Sequence, residues 1–131
     1  MCLNSSEADG LQRAFDLQGY AAKLGFDWPD VWPVLEKAEE EIHEIREALR
    51  EGNSVLAAEE LGDLLFTAVN VARFLKADPE QELLRCAARF EERFTRVKEE
   101  VLQRKGTMDE CSLEELDEIW ERVKNEPREM K

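Results

Sequence analysis

From Leu61 to Leu75 the chain reads LGDLLFTAVNVARFL, apolar around nearly its whole circumference, with Asp63 and Arg73 as the only charges. A helix with that pattern is normally buried among other elements. Only six Gly and four Pro interrupt the 131 residues. The stretches between them carry three-and-four spacing, and the alternation expected of strands is absent. The expectation is therefore an all-α fold, a helical bundle of about five helices in one domain spanning 1–131, ordered over roughly 9–124.

The punctuation places the helices. The first runs roughly from Leu11 to Leu24, with Asp9 as its cap and Gly25 as its stop. The loop Gly25-Phe26-Asp27-Trp28-Pro29-Asp30 follows, with Phe26 and Trp28 expected to anchor it. The second helix starts near Asp30, accepts Pro33 in its first turn and runs to about Glu51, before Gly52-Asn53. The third spans Ser54 to about Leu75. Asp78-Pro79-Glu80-Gln81 then supplies a cap, an N1 proline and a capping-box glutamine for a long fourth helix that ends before Gly106. Ser112-Leu113-Glu114-Glu115 is a second capping box and opens a short helix through Lys124. Asn125 to Lys131 has no apolar period.

The net charge of −13 excludes several classes of partner. Nucleic acid and anionic membranes are bound by Lys and Arg, so neither is expected here. An acidic protein still handles phosphates when divalent cations bridge the two. No run approaches the length of an uncharged membrane span, and Met1 to Gly10 lacks the apolar stretch of a signal peptide. Cys2, Cys86 and Cys111 are widely spaced and odd in number. That suits a reduced cytoplasm and not a disulfide framework, with Cys86 read as a small core hydrophobe.

The candidate site is a set of carboxylates. On the second helix Val31, Val34, Leu35, Ala38, Ile42, Ile45 and Leu49 form one stripe, with Glu41 on its edge and Glu44 about 60° further round. Glu40 and Glu47 point further towards solvent. On the third helix Glu60, Asp63, Thr67 and Asn70 share one narrow face. Acids on so apolar a helix are costly unless paired or bound to metal. The short Gly52-Asn53 connection makes the two helices antiparallel neighbours, so the two acid pairs can converge. Four carboxylates in one place need cations, and all-oxygen ligands suit Mg²⁺, or Mn²⁺, over Zn²⁺. Gly62, between the acids, would permit a close approach of backbone or ligand. A di-iron bundle would need two Glu-x-x-His pairs. His43 is the only histidine, and it is read as a solvent-facing residue.

The segments KAEEEIHEI (Lys37 to Ile45), EELGDLLFTAVNVARFL and ARFEERF resemble the MazG-type nucleoside triphosphate pyrophosphohydrolases. Glu40, Glu41, Glu44, Glu60 and Asp63 match the family's Glu-Glu-x-x-Glu and Glu-x-x-Asp pattern. The likeness runs from LQGYAAKLGFDWP to EIWERVK, and it is greatest to the second of the two homologous domains of full-length MazG proteins. The resemblance implies hydrolysis of a nucleoside triphosphate, NTP or dNTP, to the monophosphate and pyrophosphate, as house-cleaning of excess or aberrant nucleotides. It implies Glu41, Glu44, Glu60 and Asp63 as Mg²⁺ ligands, with Glu40 or one of the ligands positioning the attacking water. It further implies Lys37, Arg89 and Arg93 at the phosphates, and Trp120 and Lys124 near the base and phosphates. Asn70 would reach a phosphate or a metal-bound water from the acidic face. Arg89 stands where related sequences often have lysine, which keeps the charge and changes the hydrogen-bond geometry. The fold implied is an all-α bundle forming a homodimer, or a tetramer of paired dimers. The alternatives are a narrower dUTPase- or dCTPase-like enzyme, or a non-catalytic dimerisation domain retaining the motif.

Overall fold

The computed structural model describes residues 10–104 and 106–126, which are helical with no strand among them. The elements are α1 (Gly10–Lys23), α2 (Val31–Arg50), α3 (Ser54–Phe74), α4 (Pro79–Arg104), a 3-10 turn (Met108–Glu110) and α5 (Leu113–Asn125). Asp9, Cys2 and the tail beyond Glu126 lie outside the described residues. The chain divides into two compact units, Met1–Glu82 and Leu83–Lys131, with α4 starting in the first and continuing in the second.

Local chemistry explains the ends of the first unit's helices. Asp30 caps α2 by accepting from the Trp32 N–H at 2.9 Å. Pro33 costs nothing there, because the first four N–H groups of a helix have no intrahelical partner. Gly52, at φ 73°, ends α2. The Asn53 N–H returns to the Ala48 carbonyl, while Asn53 Oδ1 caps α3 by accepting from the Leu56 N–H at 3.0 Å. Two residues thus close one helix and open the next, and the only course left for α3 is back along α2. Asp78 caps α4 by accepting from the Glu80 and Gln81 N–H groups.

The buried line of α2 is Val34, Glu41 and Ala48, spaced by seven, with Glu41 meeting Thr67 of α3, whose other buried residues are Ala57, Val69 and Asn70. Glu41 is therefore at the centre of the inward face, not on its edge. The expected stripe is correspondingly rotated: Ile42 and Leu49 are 46% and 61% exposed. Helix α3 is not buried all round either. It packs against α2 and α1, which cover one side and leave Val55, Leu61, Leu65 and Phe66 exposed.

The second unit is built on Val97, Val101, Ile119 and Val123, with Met108, Cys111, Leu116 and Trp120 packed around them. Its capping box is complete, with Ser112 and Glu115 satisfying each other's backbone N–H groups. Glu100 pairs with Arg104 at 3.0 Å and with Arg122, and Arg96 pairs with Glu92 and Glu126. Cys86 is exposed and not a core residue. It sits on a stretch of α4 whose flanking Arg85, Ala87 and Ala88 are exposed too. No helix among the described residues is long and apolar enough to cross a membrane.

Candidate active site

The antiparallel register of α2 and α3 sets the acids opposite one another. Thr67 Oγ1 donates to Glu41 Oε1 at 2.6 Å, and Glu44 lies beside Glu60. The Glu60 carboxyl is pushed up to about 7, first by its pairing with the Glu44 carboxyl, then by burial and by the charges of Glu44, Asp63 and Glu41. The four predicted ligands therefore lie in one electrostatic neighbourhood. His43 faces solvent as expected.

The donor set fits a hard divalent cation. All of its donor atoms are carboxylate oxygens. Glu60 Oε2 is buried with no hydrogen-bond partner, an arrangement that costs free energy unless something positive meets the oxygen. In the present rotamers the carboxylates are gathered without being a coordination shell: among the described residues no three His, Cys, Asp or Glu side chains form a metal-binding group.

Glu40 stands apart from this cluster. It is exposed and pairs with Lys37 one turn earlier, at 3.4 Å. That charge, followed by the hydrogen bond and the fields of Glu41 and Glu44, raises the Lys37 ammonium above its ordinary value. Lys37 and Asn70 meet the cluster at a cavity of about 540 Å³, which Glu41, Asp63 and Thr67 also line. Beyond its own turn of helix, no atom of the described residues lies within 4 Å of where a Gly62 Cβ would stand, so this glycine serves no close packing against another described element.

The other walls of the cavity come from residues the sequence reading did not assign to a site: Leu17, Gln18, Ala21, Asp27, Phe66 and Arg73, with Phe26, Trp28 and Pro29 of the loop. Phe26 and Trp28 do not anchor that loop by burial, being 82% and 37% exposed. Its anchor is Asp27, paired with Arg73 at 2.7 Å. The guanidinium bond to Asp27 holds that carboxyl below its usual range. A lone arginine in the last turn of an apolar helix was the available signal, since such a charge requires a partner.

The remaining predicted residues belong to the second unit. Arg89 and Arg93 are half-buried one turn apart on α4, and neither makes a hydrogen bond or ion pair among the described residues. Trp120 packs on Phe90 with ring centroids 5.4 Å apart, and Phe90 stacks on Phe94. Lys124 is exposed.

Fold and site together define an all-helical protein in which two antiparallel helices gather carboxylates beside a cavity of mixed aromatic and polar character. The sequence profile of the MazG nucleotide pyrophosphohydrolase domain matches residues 33–102. The chain is 43% identical over 115 residues to the nucleoside triphosphate pyrophosphohydrolase/pyrophosphatase MazG of Thermotoga maritima, covering 87% of this chain and 44% of that protein. It is 38% identical over 118 residues to the nucleoside triphosphate pyrophosphohydrolase of Escherichia coli K12, covering 88% and 45%. The chain belongs to the MazG nucleotide pyrophosphohydrolase domain family, and it spans about half the length of these curated relatives.

Proposed function

We propose that the chain is a single MazG-type domain that hydrolyses nucleoside triphosphates to the monophosphate and pyrophosphate with Mg²⁺, for which Mn²⁺ can substitute. The observation that carries this is the carboxylate cluster of Glu41, Glu44, Glu60 and Asp63, with its orphaned Glu60 oxygen, beside a cavity that also receives Lys37. A bound cation supplies charge neutralisation at the phosphates and a more acidic water. The Thr67 hydroxyl holds one oxygen of Glu41 and fixes its rotamer, leaving the other oxygen for a ligand. Lys37 brings positive charge to the phosphate side. Glu40 or one of the ligand carboxylates orients the attacking water. The roles of Arg89, Arg93, Trp120 and Lys124 as substrate contacts rest on the family resemblance.

The same reading places the protein in a cytoplasmic nucleotide-cleansing role and makes it a homodimer, supported by the exposed Val55, Leu61 and Leu65 of α3. The test is a product-resolved panel of NTPs and dNTPs with Mg²⁺. Monophosphate plus pyrophosphate is the expected pair, with the rate abolished by Glu41→Gln and by Asp63→Asn. No cleavage of any nucleotide, or variants as fast as wild type, would sink the proposal and favour a non-catalytic dimerisation domain. Orthophosphate plus diphosphate would identify a different bond.

A further inference from the structure

Arg73 bonds three side chains of the first unit. Its guanidinium donates to both oxygens of Asp27 at 2.7 and 3.3 Å, to Asn70 Oδ1 at 2.6 Å and to Gln18 Oε1 at 3.3 Å. Gln18 in turn donates to the Phe66 carbonyl at 2.8 Å. One charge at the end of α3 thus ties together α1, α3 and the loop that leads into α2.

The consequences are directional. A guanidinium carries only donors, so the Asn70 carboxamide must turn its oxygen to Arg73 and its NH₂ group the other way. Asn70 is 8% exposed and lines the cavity. Its nitrogen makes no hydrogen bond among the described residues and is not sealed off from solvent. The amide therefore offers donors into the cavity. Asp27, held by the same guanidinium, lies between Phe26 and Trp28 and sets both rings at the cavity wall despite their exposure. Exposed aromatic faces beside a directed donor suit a flat heteroaromatic group carrying acceptors.

We propose that Arg73 is a positioning residue for nucleoside recognition: by holding Asp27 it stations Phe26 and Trp28 against the nucleoside, and by taking Asn70 Oδ1 it aims the Asn70 NH₂ group at an acceptor on it. This rests on the pyrophosphohydrolase reading, because it assumes that a nucleotide occupies the cavity. Asn70→Asp is the sharp variant: it keeps an oxygen for Arg73 and removes the donors, and the negative charge it adds would weaken pyrophosphate, the more highly charged ligand, at least as much as a monophosphate.

The experiment titrates the full chain with nucleoside monophosphates, ribose 5-phosphate and pyrophosphate in Mg²⁺ buffer by calorimetry, alongside thermal melts. Asn70→Asp and Arg73→Met are each expected to weaken monophosphate binding about tenfold more than pyrophosphate binding, the scale of one charge-assisted or well-directed hydrogen bond. Ribose 5-phosphate should be far less sensitive to Arg73→Met than the monophosphates. Arg73→Lys should fall between, because one ammonium cannot serve three partners in a fixed plane. If Asn70→Asp binds monophosphates like wild type, or if monophosphate and pyrophosphate affinity fall together with the melting temperature, Arg73 is merely structural and the proposal is overturned. A wild-type chain that binds no nucleotide at all overturns the pyrophosphohydrolase reading first, and this proposal with it.

Discussion

Thr67 shows how one hydroxyl governs a charge. Glu41 is only 4% exposed, and its one hydrogen bond among the described residues comes from Thr67 Oγ1. Thr67→Val keeps the shape and removes the donor, so the metal-free chain should lose about 1–3 kcal/mol, the cost of leaving a buried polar group unpartnered. Urea unfolding in EDTA reads this directly, and an unchanged midpoint would contradict it. Asp27 gives the pH counterpart. Arg73 holds its carboxyl below 3.8, so the folded chain gives up that proton more readily than the unfolded chain. The stability it contributes is fully present above pH 3.8 and is lost as pH falls through the lowered folded value. The stability gap between wild type and Asp27→Asn should therefore narrow in acid. A gap that stays constant from pH 7 to pH 3 would show that the pair does not titrate in this way.

At the scale of the element, helix ends were the most legible feature of the sequence. Asp78 and the Ser112–Glu115 box cap their helices as the sequence indicates, and the second helix starts at Asp30, which caps it. A cap is a local affair, decided by a side chain and the three N–H groups after it. Ser112→Ala should cost about 1 kcal/mol of the second unit's stability by thermal melting. The end of α3 was less legible. It closes as α1 and α2 do, with the Ala77 N–H returning to the Ala72 carbonyl, but a lysine, Lys76 at φ 57°, occupies the left-handed position. Nothing marks such a lysine in sequence, since glycine is the usual occupant. Lys76→Gly relieves the Cβ strain, partly offset by glycine's chain entropy. A net gain of about 0.5–1 kcal/mol is expected, and a loss would mean that the lysine side chain contributes contacts of its own.

For the whole molecule, the exposed apolar residues of α3 are the feature a single chain does not resolve. Leu61 and Leu65 are 49% and 54% exposed on a helix whose composition suits burial. Light scattering should give twice the chain's mass, and Leu61→Glu with Leu65→Lys should halve it while leaving circular dichroism unchanged. A wild-type monomer would remove the dimer from the proposed function.

The sequence by itself determined the helices, most of their caps, the pairing of Glu-x-x-Glu with Glu-x-x-Asp, and the family, because each depends on residues close along the chain or on a motif of fixed spacing. Rotation about the helix axis was decided only by packing. Spacing cannot distinguish the edge of a stripe from its centre when apolar residues flank both, so Glu41 emerged as buried and hydrogen-bonded only once Thr67 faced it across the helix pair. Exposure of Cys86 and of half of α3 likewise follows from which neighbours a helix acquires. The cavity wall belongs to the same class. Gln18, Asp27, Asn70 and Arg73 are scattered over more than fifty positions, and only the tertiary fold brings them to one guanidinium.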